Sequence, residues 1–130
     1  MPTVLIVDDS KTIQMLVTNA LGRIRDIRVV TAANGREALD VVAKNDVDLV
    51  ITDINMPEMD GIQLISEVRK KRDAACLPIL IITAKGEEQA RTEGLRLGAN
   101  AYVLKPLSWH ELTTAAEKLL AGAVPEKQRR

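Results

Sequence analysis

A chain of 130 residues suits one domain with one core. Its 18 basic and 18 acidic residues cancel to a formal net charge of zero, without the basic excess that general nucleic-acid binding needs. With no Phe, one Tyr (Tyr102) and one Trp (Trp109) the core must be aliphatic, and no apolar run reaches the about 20 residues of a membrane helix.

The first apolar run is Val4-Leu5-Ile6-Val7, short, β-branched and without alternation, the pattern of a strand covered on both faces. Asp8 and Asp9 follow it, and Asp9 or Ser10 suits the cap of a helix. That helix has an inward stripe of Ile13, Leu16, Val17, Ala20, Leu21 and Ile24. The second run, Arg28-Val29-Val30-Thr31, ends in the inert pair Ala32-Ala33. Asn34-Gly35 has the composition of a hairpin turn, but Ala38, Leu39 and Val42 continue at helical spacing, so the pair is read as a strand-to-helix loop.

The third run is Leu49-Val50-Ile51-Thr52, followed by Asp53 and by a helix with Ile62, Ile65 and Val68 facing inward. Pro57 and Gly61 are read as fixing the intervening loop, glycine by permitting a backbone turn that other residues resist, and Met56 as a gap-filler in the core. Cys76, alone in the chain, excludes an intramolecular disulfide and is read as a small unreactive residue near a strand start. The fourth run, Ile79-Leu80-Ile81-Ile82, leads to Thr83. The helix expected after it is weakly specified, because its inward positions are Ala90, Gly94 and Leu97, and a helical glycine costs about 1 kcal/mol relative to alanine. The fifth run, Ala101-Tyr102-Val103-Leu104, is followed by Lys105-Pro106 and by a helix with Leu112, Ala116, Leu119 and Leu120 inward. Trp109 packs at that helix start or joins a binding surface, and His110 reads as a surface histidine. The domain is expected over residues 1–122, with 123–130 a polar tail.

Five strand-helix repeats imply α/β architecture: a doubly wound, five-stranded parallel sheet in a three-layer sandwich with right-handed crossovers. A closed eight-fold barrel needs about twice this length. In an open parallel sheet, ligands bind beyond the carboxyl ends of the strands. The residues that stand there are Asp8, Asp9, Asp53, Thr83 and Lys105, so four of the five strands deliver reactive groups to one edge.

Three carboxylates and one ammonium leave two negative charges uncompensated, and two carboxylates about 4 Å apart repel by roughly 4 kcal/mol at an effective dielectric of 20. One divalent cation cancels that excess, and hard oxygen donors with room for water favour Mg²⁺, with Mn²⁺ a close substitute. Asp53 is then the candidate nucleophile for a phosphoryl group, forming an acyl phosphate. Thr83 can hydrogen-bond one phosphoryl oxygen and Lys105 can pair with another.

Four segments carry a family resemblance: Val4-Leu5-Ile6-Val7-Asp8-Asp9-Ser10, Asp53-Ile54-Asn55-Met56-Pro57-Glu58-Met59-Asp60-Gly61, Ile81-Ile82-Thr83-Ala84, and Gly98-Ala99-Asn100-Ala101-Tyr102-Val103-Leu104-Lys105-Pro106. Together they resemble the response-regulator receiver family, also called CheY-like domains, from Thr3 to about Gly122. The resemblance implies a flavodoxin-like (βα)₅ fold and phosphoryl transfer to Asp53 from the phosphohistidine of a sensor histidine kinase or phosphotransfer protein. It implies a metal held by Asp9, Asp53 and the backbone carbonyl of Asn55, with Asp8 acting partly through water. It assigns Thr83 and Tyr102 to a switch, makes the Lys105-Pro106 bond cis, and places Lys85 where the side chain affects phosphoryl lifetime.

The expected role is therefore a cytoplasmic signalling switch that assists only its own phosphorylation and dephosphorylation, either a single-domain regulator or a receiver from a longer one. Its output is expected on a protein effector, through the face of the fourth helix, fifth strand and fifth helix, with no direct nucleic-acid or membrane contact. The oligomeric expectation is a monomer or a weak phosphorylation-dependent dimer. The segment Glu87 to Leu97, weakly packed and beside Thr83 and Tyr102, is the expected bistable element. Two rivals are an aspartyl-phosphate phosphatase, which typically has a second Asp where Asn55 stands, and a binding module that no longer accepts phosphate.

Overall fold

The protein is described by a computed structural model covering residues 1–24, 26–56 and 59–122. Among these, five strands alternate with five helices: β1 (Thr3–Val7), α1 (Lys11–Leu21), β2 (Arg28–Ala32), α2 (Gly35–Lys44), β3 (Leu49–Asp53), α3 (Gly61–Arg69), β4 (Ile79–Thr83), α4 (Glu88–Arg96), β5 (Ala101–Leu104) and α5 (Trp109–Gly122). Each strand falls on its predicted apolar run. All neighbouring strands pair in parallel, in the order β2-β1-β3-β4-β5.

Two aliphatic layers hold the helices to the sheet. On one face Leu5, Val7, Val50, Ile79 and Ile81 pack with Ala38 of α2, Leu64, Ile65 and Val68 of α3, and Ala90 of α4. On the other, Val4, Ile6, Ile51, Leu80 and Ile82 pack with Val17 and Leu21 of α1 and with Leu112 and Ala116 of α5. Alternate side chains of one strand point to opposite faces, so the three central strands are buried along their length, as their unbroken apolar runs require.

The edge strands differ from the expectation. β2 and β5 are only partly buried, because each has a neighbour on one side alone. Leu16, expected inward, is 53% exposed. The α1 stripe that meets the sheet is narrower, built on Val17, Ala20 and Leu21, and Leu16 instead borders a groove of about 390 Å³ with Ile13, Leu107 and Trp109. On α3 the inward set gains Leu64, while Ile62 is only half-buried.

Local chemistry fixes the helix starts. Ser10, rather than Asp9, caps α1, accepting from Ile13 N at 3.3 Å. Asn34 caps α2 by accepting from Glu37 N at 2.9 Å, so Asn34-Gly35 is the strand-to-helix loop expected. Asp60 and Gln63 form a capping box at α3.

Gly61 is the first residue of α3, and its reason differs from the predicted one. A Cβ there would lie 2.3 Å from the Asp53 carbonyl oxygen and 2.8 Å from Ile54 Cα, so glycine lets α3 start directly against the end of β3. Gly94 has a similar role in α4, where a Cβ would meet Ile81 Cδ1 at 2.7 Å. Met56 packs against the core as expected and Cys76 is buried. Pro57, Glu58 and the predicted tail 123–130 lie outside the described residues. No described helix is long and apolar enough to cross a membrane.

Candidate functional site

Parallel pairing places every strand's carboxyl end on one edge. Val7 is opposite Thr52, Asp53 is opposite Ile82 and Thr83 is opposite Leu104, so Asp8, Asp53, Thr83 and Lys105 emerge side by side. The sequence order reverses between β1 and β3, whose crossovers run to opposite faces, and that switch point is where open α/β sheets bind ligands.

Asp53, 6% exposed, has both oxygens engaged: Oδ1 accepts from Ile54 N at 2.7 Å, and Lys105 Nζ reaches Oδ2 at 3.3 Å. The Lys105 backbone N–H donates to the Thr83 carbonyl at 2.8 Å, and the Lys105-Pro106 peptide is cis, as the resemblance implied. Asp8 is buried at the end of β1; its backbone N–H donates to Ala32 O, its Oδ1 accepts from Ser10 N at 2.9 Å, and its carbonyl accepts from Gln14 Nε2 at 2.7 Å. Asp9 is exposed at the rim.

Burial withholds water from the charged form of Asp8 and pushes its carboxyl from the ordinary 3.8 up to about 6. The Ser10 N–H and Lys105 oppose this rise, and the Asp53 and Asp9 charges add to it. Asp8 Oδ2 is buried without a hydrogen-bond partner among the described residues. One oxygen from each of Asp8, Asp9 and Asp53 lies within 4.8 Å of the others. A buried orphan oxygen in a cluster of three carboxylates fits a hard divalent cation, which would satisfy the orphan and cancel the repulsion together.

Thr83 is fully buried at the end of β4. Its hydroxyl donates to Glu87 Oε1 at 3.1 Å, and the same oxygen accepts from Ala84 N at 2.7 Å. Glu87 Oε2 accepts from Asn55 Nδ2, so the Asn55 side chain is engaged with Glu87 and its backbone carbonyl is the group assigned to the metal by the resemblance. Tyr102 is 42% exposed and points outward, its ring covered by the Arg91 guanidinium. Lys85 is exposed beside Thr83. Trp109 is exposed at the α5 start with Arg23 4.2 Å from its ring centre, and His110 is a surface residue next to it.

Asp8, Asp53, Thr83 and Lys105 emerge at this edge with Asp9 beside them, Asn55 reaches it through Glu87, and Tyr102 lies within β5 under Arg91. Glu87, Gln14 and Arg91 were missed. Glu87 carries no local signal: four residues past Thr83 and just before a helix, an acid reads as a solvated end of the helix.

Residues 4–117 match the family model described as "Response regulator receiver domain". The chain belongs to the response regulator receiver family. This receiver domain is 38% identical over 117 residues to a chemotaxis protein CheY homolog of Campylobacter jejuni, across 89% of this chain and 90% of that protein. It shares 38% identity with the transcriptional regulatory protein SrrA of Staphylococcus aureus, but spans only 47% of that protein. Among solved structures, a putative response regulator from Chloroflexus aurantiacus superposes with a TM-score of 0.85 at 38% identity, over 93% of this chain and 99% of that one. The chemotaxis response regulator CheY4 of Vibrio cholerae gives 0.82 at 34% identity, over 92% and 98%. The receiver domain thus has the flavodoxin-like fold expected, and its place is in two-component signalling.

Proposed function

We propose that this receiver domain accepts a phosphoryl group on Asp53 from the phosphohistidine of a sensor histidine kinase or phosphotransfer protein, in a reaction that depends on Mg²⁺, with Mn²⁺ a substitute. The observation that carries this reading is the pairing of Asp53 Oδ2 with Lys105 Nζ at 3.3 Å beside the Asp8-Asp9-Asp53 carboxylate cluster. An Asp53 oxygen forms the new P–O bond while the P–N bond of the donor breaks, its electron pair returning to the imidazole. Lys105 holds Asp53 in place and then faces the added negative charge, and Thr83 supplies a hydroxyl donor from the next strand. Asp8, Asp9, Asp53 and the Asn55 carbonyl would hold a divalent ion, which would supply charge stabilisation for the phosphoryl oxygens.

The domain acts on no external substrate in this reading. It is a cytoplasmic switch whose output is read by a protein effector at α4, β5 and α5, either as a monomer or as a weak phosphorylation-dependent dimer. Similarity to a protein named for chemotaxis supports a chemotaxis-like pathway.

Intact mass after incubation with acetyl phosphate and Mg²⁺ tests the chemistry. The expected result is a gain of one phosphoryl group that disappears in Asp53→Ala and with EDTA. A folded protein that gains nothing from acetyl phosphate or from a phosphorylated kinase would leave a binding module on the receiver fold.

A further inference from the structure

Glu87 is the carboxylate at this cleft that the proposed chemistry does not use. One of its oxygens is held by a hydroxyl, Thr83 Oγ1 at 3.1 Å, and by a backbone amide, Ala84 N at 2.7 Å; the other accepts from Asn55. Those donors lie at the carboxyl end of β4, one and two residues beyond Ile82, the register partner of Asp53. Adjacent strands are about 4.8 Å apart, so a phosphoryl oxygen on Asp53 seeks the same donors. Glu87 Oε1 therefore marks an oxyanion position that is filled from within the chain.

We propose that Glu87 is an internal competitor of the phosphoryl group, a positioning residue whose carboxylate holds the Thr83 and Ala84 donors until phosphorylation displaces it. The inference rests on the phosphoryl-acceptor reading above. A threonine hydroxyl has one hydrogen to give, so it serves Glu87 or the phosphoryl oxygen and not both. Like charges add to the exclusion.

Displacement has a consequence for α4. Glu87 stands at the residue before that helix, yet its side chain makes no cap to it, because both oxygens are turned to the site. Released, the carboxylate lies at the positive end of the helix, where it stabilises the first turn. The Glu87 carbonyl accepts from Arg91 N at 2.9 Å, and Arg91 covers the Tyr102 ring. One helical turn thus links the oxyanion position to an exposed aromatic on the output face.

The test is the affinity of the full chain for beryllofluoride with Mg²⁺, measured by calorimetry, together with the rate of phosphorylation by acetyl phosphate. If the Glu87-held state is populated about nine times in ten, Glu87→Ala tightens beryllofluoride by roughly tenfold and raises the phosphorylation rate. Glu87→Gln, isosteric and uncharged, moves both in the same direction. Glu88→Ala, which removes an exposed acid from the same helix end, leaves both unchanged, and a Thr83→Ala background shrinks the Glu87→Ala effect. Wild-type protein that binds beryllofluoride, with neither Glu87 variant binding it more tightly, overturns the competitor role alone. Equal tightening in Glu88→Ala overturns it as well, since general charge removal would then suffice. Wild-type protein that neither binds beryllofluoride nor gains a phosphoryl group overturns the acceptor reading and this inference with it.

Discussion

The guanidinium of Arg91 lies 4.6 Å from the centre of the Tyr102 ring, so α4 holds the one tyrosine of the chain in its outward position. A cation over an exposed aromatic contributes about 0.5–1 kcal/mol. Arg91→Ala is expected to lower stability by no more than that in urea denaturation. It should also release the ring, seen as averaging of the Tyr102 side-chain couplings by NMR. An unchanged, single rotamer in the variant would show that β5 alone sets the tyrosine.

Asp8 makes stability depend on pH in the metal-free protein. Its folded carboxyl titrates at about 6 against 3.8 in the unfolded chain, so the folded state holds a proton that the unfolded state has lost between those values. The contribution is therefore fully present below about pH 4 and is lost as pH rises through 6, by no more than about 3 kcal/mol. Urea titrations from pH 4 to 7.5 with chelator present are expected to show this decline superimposed on the other groups. Asp8→Asn should remove it.

The same proton opposes metal binding. A cation at the Asp8-Asp9-Asp53 cluster requires the ionised form of Asp8, so Mn²⁺ affinity measured by calorimetry should rise from pH 5 to 7 with proton release. Asp53→Asn removes a charge that raises the Asp8 titration, and should shift that rise to lower pH. A pH-independent affinity would show that Asp8 is not a ligand.

Gly61 and Gly94 should respond differently to alanine. At Gly61 the new methyl meets backbone atoms of Asp53 and Ile54, which cannot turn aside, and a loss of at least about 2 kcal/mol is expected together with slower phosphorylation. At Gly94 it meets the tip of the Ile81 side chain inside a helix that gains about 1 kcal/mol from alanine, so stability should stay within about 1 kcal/mol of wild type. Denaturation midpoints of the two variants check this ordering.

Helix α4 should be the first helix to open. It buries one residue fully, Gly94, and its preceding Glu87 gives it no side-chain cap. Hydrogen exchange is expected to be faster for its amides than for those of β1, β3 and β4, which are buried throughout. Protection equal to that of the central strands would remove α4 as the mobile element.

The five strands, the parallel sheet and the site edge are legible in the residues alone. Val4 to Val7, Leu49 to Thr52 and Ile79 to Ile82 declare strands covered on both faces because side-chain character and period are local properties, whereas the edge position of β2 and β5 came only with the strand order. Asp8, Asp53, Thr83 and Lys105 were legible because parallel connectivity sends every strand end to the same edge. The exposure of Leu16, the steric reason for Gly61, and the engagement of Glu87 with Thr83, Ala84 and Asn55 emerge once the elements are packed. Each depends on how one element meets another in space. A helix stripe fixes which face is apolar but not how wide the covering surface is, and a carboxylate before a helix finds its donors only when the strand beside it is in place.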